Sequence, residues 1–246
     1  MGKKVVLTGG TSGIGKAIAH KIIDELGAEL EKFIINYGHN DEAAQQLLSE
    51  IPDQFKSKVV LLKADLSSYA GAEALLEGVN RELSSINWFI SNTGIGTYEK
   101  FENYSYELWD KIIRTNVSVP AFLIQGVKEK MAEDGRIVLM GSLAGEIPYS
   151  SSLVYGVSKA AVNFMSSALM KEFEDKRVSV NTIAPGFIET PWQEGRSQES
   201  YQRINNKIAL HRFGFPEEVA AACYHILNNP YINGSVIKVD GGYGYF

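Results

Sequence analysis

The sequence has little of what marks disulfide-bonded, metal-binding or nucleic-acid-binding proteins. It contains one cysteine in 246 residues, Cys223, which excludes an internal disulfide and a cysteine-based metal cluster. Cys223 stands in the apolar stretch A-A-A-C-Y-H-I-L, so we predict that it is a core residue and not a nucleophile. The net charge is −5 and no Lys/Arg-rich block occurs, so the sequence gives no electrostatic support for nucleic-acid binding.

Long apolar runs are also absent. No stretch approaches the ~20 apolar residues that span a bilayer, which argues against a membrane protein. The N-terminal apolar run enters a glycine-rich turn at once and is too short for a signal peptide, and Val6 does not fit the myristoylation pattern. These absences favour a cytoplasmic protein that contacts neither nucleic acid nor membrane, and we expect no bound metal.

Short, continuously apolar runs alternate with amphipathic segments along the whole chain. Continuous apolarity is typical of strands buried on both faces of a parallel sheet. The predicted strands are Val5–Thr8, Lys32–Tyr37, Val59–Ala64, Trp88–Ser91, Arg136–Gly141, Val178–Ile183 and Ser235–Val239. The predicted helices are Gly13–Leu26, Asp41–Ile51, about Ser68 to Leu83, about Tyr106–Met131, one that carries Tyr155 and runs to about Glu174, and Pro216–Leu227.

This alternation predicts one α/β domain over residues 1–246, a doubly wound Rossmann-type fold with a seven-stranded parallel sheet flanked by helices. One long irregular stretch, Phe187–Phe215, interrupts the pattern. Because long loops in compact domains are usually lids or binding loops, we expect residues 187–215 to form a substrate-loop region.

A glycine-rich turn, G-G-T-S-G-I-G, follows the first predicted strand directly and leads into a predicted helix. Gly9, Gly13 and Gly15 permit a tight turn and close approach of the backbone to a pyrophosphate, and the helix N-terminus supplies N–H groups. The spacing is G-x-x-x-G-x-G and not the more common G-x-G-x-x-G. Asp65, at the end of the third strand, is a candidate to accept a hydrogen bond from an adenine amino group and also to cap the next helix, and the two roles are compatible.

Tyr155 and Lys159 form the most informative pair in the chain. They are four residues apart in V-Y-G-V-S-K-A-A, so both side chains leave one face of the predicted helix. An unperturbed tyrosine has a pKa of about 10, and a neighbouring ammonium group favours the phenolate, which brings acid–base chemistry closer to neutral pH. The spacing alone is also compatible with an ordinary helix surface, so the interpretation depends on the other motifs.

Those motifs occur in one order: T-G-G-T-S-G-I-G after strand one, Asn92-Thr93-Gly94 after strand four, then Asn116, Ser142, the Tyr155/Lys159 pair and Pro185-Gly186. In this order the chain resembles the short-chain dehydrogenase/reductase family, and within it the 3-oxoacyl-(acyl-carrier-protein) reductases and related ketoreductases. The match covers essentially the whole chain. It departs from the family pattern in having N-T-G where N-A-G is more usual, and in a longer stretch before strand two.

The resemblance implies a cofactor site whose members are Gly9, Thr11, Ser12, Gly13, Ile14, Asn36, Asp65, Leu66, Asn92, Gly94, Tyr155, Lys159, Pro185, Gly186, Ile188 and Thr190. The glycine-loop residues would cradle the phosphates and adenosine, and Asn92 and Gly94 would border the ribose. The residues from Pro185 to Thr190 would flank the nicotinamide.

The resemblance also implies four catalytic residues, Asn116, Ser142, Tyr155 and Lys159. Tyr155 would exchange a proton with the substrate oxygen, which Ser142 would hydrogen-bond. Lys159 would hold the nicotinamide ribose and lower the pKa of Tyr155, and Asn116 would hold a water that relays protons through Lys159. Two donors aimed at the oxygen suit a reaction in which hydride addition develops negative charge there.

The end of strand two bears on the choice of nicotinamide cofactor. An acidic residue there accepts the ribose hydroxyls of NAD, but this strand ends I-I-N-Y-G-H-N. The reductases that the chain resembles often carry Asn-Tyr at this place and use NADP. No arginine stands nearby, and Lys16 and His39 are the candidate partners of a 2′-phosphate. We expect NADP, with NAD as the alternative.

The sequence says least about the substrate. The expected pocket walls are Ala144–Leu153, Ile95–Tyr98 and Phe187–Phe215, with Ile147, Tyr149, Trp192 and Phe213 as their large apolar members. These suit an acyl chain, an aromatic ketone or a steroid equally well, and are equally well explained by loop packing or a subunit interface. Arg196, Arg203 and Arg212 either meet an acidic carrier or phosphate group or belong to the ordinary surface.

The resemblance implies a small-molecule carbonyl or alcohol substrate, or an acyl-carrier substrate, acted on by a homotetramer. Its interfaces would use the helices Tyr106–Met131 and Tyr155–Glu174. Two other readings stay open: an NAD-dependent alcohol or sugar dehydrogenase, and a cofactor-binding regulator without catalysis.

Overall fold

Seven parallel strands form the centre of the protein in its computed structural model, which describes residues 2–148 and 152–245. The strands are β1 (Lys3–Leu7), β2 (Leu30–Tyr37), β3 (Val59–Lys63), β4 (Ile86–Ser91), β5 (Met131–Met140), β6 (Ser179–Pro185) and β7 (Val236–Val239). They lie in the order β3-β2-β1-β4-β5-β6-β7, and every neighbouring pair is parallel. This confirms the predicted seven-stranded parallel sheet.

Helices cover both faces of this sheet. They are α1 (Gly13–Leu26), α2 (Asp41–Glu50), α3 (Asp53–Lys56), α4 (Tyr69–Glu82), α5 (Tyr106–Ile113), α6 (Val119–Val127), α7 (Leu153–Leu169), α8 (Gln198–Asn205) and α9 (Pro216–Asn228). Alternate residues of a strand face opposite layers, so Leu7 packs in the cluster with α1 and α9 while Val6 packs in the cluster with α4 and α6. This two-sided burial explains why the strands read as continuous apolar runs.

Cys223 lies in α9 and is fully buried in the first of these clusters. Burial raises the pKa of its thiol to about 12, so the thiol stays protonated and unreactive at neutral pH. The prediction of a core cysteine is confirmed.

The segment between Tyr106 and Met131 is less regular than the single predicted helix. A π-helical turn at Arg114–Ser118 separates α5 from α6, and a short 3-10 turn at Lys128–Lys130 ends the helical region. Strand β5 then begins at Met131, five residues before the predicted Arg136. The first half of β5 contains the polar run E-D-G, with Asp134 at a φ of 55°. Because this half is not apolar, the pattern of continuous apolar runs does not predict it as a strand.

Two further predictions of local structure were wrong. Helix α7 ends at Leu169, and residues Met170–Lys176 form 3-10 turns where the prediction continued the helix to about Glu174. The stretch Phe187–Phe215 is not irregular throughout, because it contains α8. Its sequence, Q-E-S-Y-Q-R-I-N, is too polar to show helical periodicity, and the helix is fixed by a Ser197 cap that accepts from the Ser200 N–H.

The strand order places β1 beside β4, so chain connections leave this pair toward opposite edges of the sheet. A crevice outside the carboxyl ends of the strands is expected at such a point. Within the part of the chain that the structure describes, no group of His, Cys, Asp and Glu side chains is arranged to hold a metal ion. None of the helices described is both long and apolar enough to traverse a bilayer.

Candidate active site

A cleft of about 890 Å³ opens at the carboxyl ends of the strands. Its lining comes from the loops that follow β1, β4, β5 and β6 and from the first turns of α7. Most of the predicted site residues meet here: Gly9, Ser12, Gly13, Ile14, Asn92, Gly94, Ser142, Tyr155, Lys159, Pro185, Gly186, Ile188 and Thr190. Five others, Thr11, Asn36, Asp65, Leu66 and Asn116, are not part of this lining.

The glycine-rich loop between β1 and α1 forms one side of the cleft. Gly9 has a φ of 61°, and a Cβ at Gly15 would lie 2.0 Å from the Gly9 carbonyl oxygen, so the loop lies directly against the first turn of α1. Ser12 occupies the N-cap position of α1, but its side chain forms no capping hydrogen bond. The first N–H groups of α1 are therefore available to an anion, which is how helix N-termini bind dinucleotide phosphates.

Asn92 joins the ends of β1 and β4 beside this loop. Its Nδ2 donates to the carbonyl oxygens of Thr8 at 3.2 Å and Gly9 at 2.9 Å. Thr93 Oγ1 is buried without a hydrogen-bond partner among the described residues, and it would lie 2.9 Å from a Cβ at Gly9. A buried hydroxyl without a partner, facing a glycine cradle, fits a site that a nicotinamide dinucleotide completes.

Ser142 is held at the carboxyl end of β5 by contacts with α7. Asn163 Nδ2 donates to its carbonyl oxygen at 3.1 Å, and the Ser142 Oγ accepts from the Ala144 N–H at 3.1 Å. A Cβ at Gly145 would lie 2.4 Å from the carbonyl carbon of Lys159, so only glycine lets the turn after β5 approach α7 so closely. This close packing brings Ser142 and the α7 side chains to one cleft.

Tyr155 and Lys159 lie one turn apart on α7, and both line the cleft. The Lys159 Nζ lies 5.8 Å from the centroid of the Tyr155 ring and donates to the Met140 carbonyl oxygen at 2.7 Å. Lys159 is only 4% exposed. Burial lowers the pKa of its ammonium group from 10.5 to about 8, and no carboxylate among the described residues opposes this shift. A buried positive charge thus stands beside the phenol.

Asn116 lies in the π-helical turn behind the cleft wall and is 1% exposed. Its Nδ2 donates to the Ile95 carbonyl oxygen at 2.8 Å and to Ser158 Oγ at 2.9 Å, and its Oδ1 accepts from the Ile95 N–H at 2.9 Å. The side chain therefore fastens the segment after β4 to α7, next to Lys159. Widened turns of this kind often occur at functional sites. The proton relay expected of Asn116 stays a prediction.

The end of β2 lies outside the cleft lining. Asn36 is 1% exposed, and its Nδ2 lies within hydrogen-bonding distance of the carbonyl oxygens of Tyr37, Leu62 and Ala64, at 3.3, 3.2 and 3.0 Å. Its Oδ1 accepts from the Gly9 N–H at 3.4 Å. The amide thus connects the ends of β1, β2 and β3, and a cofactor contact by Asn36 stays a prediction.

Asp65 follows β3 and accepts from both the N–H and the hydroxyl of Ser67 at 2.9 Å. The Ser67 N–H is the main cause that lowers the pKa of this carboxyl. The helix cap considered for Asp65 is wrong, because Ser68 caps α4 by accepting from the Gly71 N–H at 3.1 Å. The adenine contact stays a prediction, as do those of Leu66, which is 3% exposed, and Thr11.

The two candidate partners of a 2′-phosphate both have carboxylate neighbours. Lys16 Nζ lies 2.8 Å from Glu50 Oε1, and His39 Nε2 lies 3.3 Å from Asp65 Oδ2. His39 is largely exposed, so its contact is the weaker of the two. A phosphate here would have to compete with these contacts.

The segment after β6 crosses the mouth of the cleft. The Gly186 N–H donates to the Val239 carbonyl oxygen at 3.0 Å, and Ile188 pairs with Gly214 in an isolated bridge. Thr190 would lie 3.4 Å from a Cβ at Gly13, so this segment reaches back to the glycine loop. Residues Pro185 to Thr190 therefore line the cleft and approach the glycine loop at Thr190.

Trp192 covers Tyr155 from the same segment. The two ring centroids are 5.6 Å apart, and the Tyr98 hydroxyl donates to the Trp192 carbonyl oxygen at 2.9 Å. Of the other expected wall residues, Phe213 is buried in a separate cluster, against which Ile147 packs, and neither lines the cleft. Tyr149 lies outside the described residues. Of the large apolar wall residues that the sequence predicts, Trp192 is thus the one in the described chain that lines the cleft.

Sequence analysis missed two polar residues on α7 that support the site. Asn163 donates a hydrogen bond to the Ser142 carbonyl oxygen. The Ser158 hydroxyl accepts a hydrogen bond from Asn116 and donates one to the Tyr155 carbonyl oxygen at 2.8 Å. A signal for Asn163 exists in the sequence, because it follows Lys159 by four residues and so continues the face that carries Tyr155.

The chain is similar to known proteins over nearly its whole length. A family model described as enoyl-(acyl carrier protein) reductase matches residues 9–244. The chain is 32% identical to glucose 1-dehydrogenase 2 of Bacillus subtilis, over 98% of this chain and 94% of that protein. It is 31% identical to a 3-oxoacyl-(acyl-carrier-protein) reductase of Aquifex aeolicus, over 98% and 97% of the two chains.

Solved structures show the same fold. A short-chain dehydrogenase/reductase from Serratia marcescens superposes with a TM-score of 0.90 at 23% identity, covering 99% of this chain and 98% of the other. An NADP active-site complex of RhlG from Pseudomonas aeruginosa gives a TM-score of 0.88 at 26% identity, covering 99% and 96%. On this fold and these relatives, the chain belongs to the short-chain dehydrogenase/reductase family and is an NAD(P)-dependent oxidoreductase.

Proposed function

We propose that this protein is an NADPH-dependent ketoreductase that converts a carbonyl compound into a secondary alcohol, with Tyr155 as the general acid. One observation carries the proposal: Ser142, Tyr155 and the buried Lys159 line one cleft beside the glycine loop. The N–H groups of that loop would hold the cofactor pyrophosphate, and residues Pro185 to Thr190 would flank the nicotinamide. The bound cofactor would supply the hydride.

The chain's own residues would manage the charge that develops on the substrate oxygen. The Ser142 Oγ already accepts from the Ala144 N–H, so its own proton is directed elsewhere and can be donated to that oxygen. Tyr155 would deliver the proton that completes the alcohol. The adjacent Lys159 charge makes the resulting phenolate less costly, because opposite charges at short range favour ionisation.

Lys159 would also position the cofactor. An ammonium group has three donors, and one of them is used by the Met140 carbonyl oxygen at 2.7 Å. The remaining donors would bind the nicotinamide ribose hydroxyls, which are neutral and leave the positive charge uncompensated. This fits a lysine that is buried without a carboxylate partner among the described residues. Asn116 would keep this region in place through Ile95 and Ser158.

The preference for NADPH is supported by the end of β2, where Asn36, Tyr37 and Gly38 include no acid to repel a 2′-phosphate. The RhlG complex from Pseudomonas aeruginosa, at 26% identity, was solved with NADP. The arrangement of Asn36 adds to this argument, because its buried amide is bound to backbone groups and not placed as a ribose acceptor.

A second candidate function is an NAD-dependent dehydrogenase that oxidises an alcohol or sugar. It is favoured by the 32% identity to glucose 1-dehydrogenase 2 of Bacillus subtilis. The same residues serve this direction, with Tyr155 accepting a proton as the hydride leaves the substrate carbon.

The test is a panel of ketones, 3-oxoacyl thioesters, alcohols and aldoses, each assayed with both cofactors by absorbance of the reduced nicotinamide. We expect ketone reduction with NADPH to be the fastest reaction. Sugar or alcohol oxidation with NAD as the fastest reaction would establish the second candidate, and no turnover with any pair would refute both.

A matched variant tests the role of Tyr155. Tyr155→Phe removes only the hydroxyl, so kcat should fall by about 10²–10⁴-fold, the usual contribution of a general acid. NADPH affinity, followed by nucleotide fluorescence, should change little. Reduction at the wild-type rate would show that another group supplies the proton.

We also propose that residues 187–215 form the substrate loop and that the protein assembles as a homotetramer. Trp192 lies over Tyr155 in that loop.

The tetramer is supported by two exposed aromatic side chains. Phe122 on α6 and Phe164 on α7 are 50% and 70% exposed, a large apolar area for a surface without a partner. Light scattering should give four times the mass of the chain, and Phe164→Glu should lower it. A monomer in the wild type would refute the tetramer.

A further inference from the structure

The cleft carries more positive than negative charge. Its lining contains Lys159, Arg196 and Arg203, whereas Glu194 is the one carboxylate in the described part of that lining. Lys159 is accounted for by its place beside Tyr155, but neither arginine has a role in the proposed proton transfer. Their charges therefore need another explanation.

Arg196 is fixed in place by neutral groups only. Its Nε donates to Gln193 Oε1 at 2.8 Å, and its Nη1 donates to Ser200 Oγ at 3.0 Å. Gln193 is itself buried and donates to the Ile188 carbonyl oxygen at 3.1 Å, so the guanidinium is tied to the segment that flanks the cleft. No carboxylate of the described residues lies within ion-pair distance of Arg196. A half-buried, oriented guanidinium without a counter-ion is arranged to receive one.

Arg203, which is exposed on α8, also lines the cleft. Its Nη2 lies 3.5 Å from the same Ser200 Oγ that Arg196 contacts, and it too lacks an ion pair within the described chain. Arg212 differs in both respects, because it forms two short contacts with Glu218, at 2.6 and 2.9 Å, and does not line the cleft. The loop thus contains one arginine that is paired with a carboxylate and two that line the cleft without an ion pair among the described residues.

The position of Arg196 favours a substrate over the cofactor. Its guanidinium carbon lies 5.6 Å from the Phe187 ring, which packs against Phe213 and Tyr243 at 5.4 and 5.1 Å. These rings belong to the apolar cluster that also contains Leu143, the residue after Ser142. The glycine loop, where the cofactor phosphates belong, contacts Thr190 and Pro191 instead.

We infer that Arg196, with Arg203 beside it, binds an oxyanion on the substrate, so that the protein acts on small oxo compounds that carry a carboxylate or phosphate ester. The inference rests on the proposed ketoreductase function and narrows its substrate class. The fork of N–H donors on a guanidinium matches either oxyanion, and a charge-assisted contact of this kind adds both affinity and orientation. The proposal makes Arg196 a specificity-determining residue outside the proton-transfer group.

The experiment compares matched pairs of substrates. A series of straight-chain oxo acids of increasing length is assayed against the corresponding methyl esters, and oxo alkyl phosphates are assayed against the neutral oxo alcohols. The wild type should prefer one acid over its ester by about 10- to 100-fold in kcat/KM, the usual effect of a charge-assisted hydrogen bond. Arg196→Met should remove that preference, so that the ratio of kcat/KM for acid and ester falls to about one, and Arg196→Lys should restore part of it.

Lys207→Met is the control, because it removes one positive charge from the same segment, outside the cleft lining. This variant should keep the acid preference. The KM for NADPH should not change in Arg196→Met; a rise equal to that for the oxo acid would place the arginine on the cofactor and overturn the inference. Equal rates for every acid and ester in the wild type would overturn it as well.

A binding measurement separates this inference from the proposed function. Tyr155→Phe saturated with the oxidised cofactor is titrated calorimetrically with each acid and ester. Tighter binding of an acid that disappears in the Tyr155→Phe/Arg196→Met double variant supports the anion site even if no ketone is reduced. Equal binding of acids and esters, with ketone reduction intact in the wild type, refutes the anion site and leaves the ketoreductase proposal standing.

Discussion

Replacing Lys159 by methionine should make the cofactor-free protein more stable while abolishing its function. Lys159 is 4% exposed, and its only described hydrogen bond is to the Met140 carbonyl oxygen. Methionine is similar in length and volume and carries no charge, so the variant keeps the packing of α7. What it removes is the cost of holding an ammonium group away from water.

The size of this effect follows from the pKa of the lysine. Burial lowers it from 10.5 to about 8, which at about 1.4 kcal/mol per pKa unit corresponds to ~3 kcal/mol of folding free energy. Loss of the hydrogen bond to Met140 costs about 1 kcal/mol. We therefore expect Lys159→Met to raise the free energy of unfolding by ~2 kcal/mol at pH 7, or Tm by roughly 4–8 °C for a domain of this size.

The sign of the pH dependence makes the prediction specific. Between about pH 8 and 10.5 the unfolded chain binds a proton at Lys159 that the folded chain has released, so wild-type stability rises with pH across this window. Below pH 8 both states are protonated, and the full cost of burial is present. The advantage of Lys159→Met should therefore be largest at pH 7, disappear near pH 10 and become a deficit of up to about 1 kcal/mol at higher pH, where only the lost hydrogen bond remains.

The assay is urea unfolding of the cofactor-free proteins at several pH values between 7 and 10.5, at one protein concentration. Lys207→Met is the control, because it makes the same substitution at an exposed lysine that forms no ion pair with the described residues. A variant less stable than the wild type at pH 7, or an advantage that stays constant with pH, would refute the account of a buried, uncompensated charge.

Two further substitutions test other parts of the site. Gly145→Ala places a Cβ 2.4 Å from the backbone of Lys159, so α7 must shift, and we expect a loss of about 1–3 kcal/mol in stability together with lower turnover; Gly38→Ala, where an added Cβ meets nothing within 4 Å, is the matched control in the same unfolding assay. Thr93→Ala removes a buried hydroxyl that has no partner among the described residues, so the cofactor-free protein should keep its stability while the Kd for NADPH rises by about 3- to 10-fold, measured by nucleotide fluorescence. Unchanged NADPH affinity would show that the hydroxyl does not face the cofactor.

The parts of the fold that local sequence determines were predictable. The strands are apolar on both faces, and α1 begins and ends at the predicted residues because a glycine turn precedes it and Gly27, at a φ of 48°, ends it. The placement of Tyr155 and Lys159 on α7 was predictable for the same reason, because residues four positions apart on a helix lie on the same face. These elements needed no information from distant parts of the chain.

Other features depend on contacts between distant residues. The hydrogen bond between Tyr98 and Trp192 joins positions 94 residues apart, and the local sequence around neither residue predicts it. The π-helical turn around Asn116 has no periodicity of its own, because one extra residue in a turn leaves the apolar pattern on both sides intact. A contact between Asn36 and the cofactor stays a prediction, because in a strand buried on both faces the sequence does not tell whether an amide binds a ligand or the backbone.

The hydrogen bonds of Asn36 decide how the cofactor preference of this enzyme can be re-engineered. An acid at the end of strand two is the usual means of favouring NAD, and Asn36→Asp is the smallest change that would introduce one. That carboxylate would face the carbonyl oxygens of Leu62 and Ala64, which now accept hydrogen bonds from the Asn36 amide. The strand ends would lose this side-chain connection and keep only their backbone hydrogen bonds. Gly38 offers a safer design position, because a side chain there meets no other atom within 4 Å.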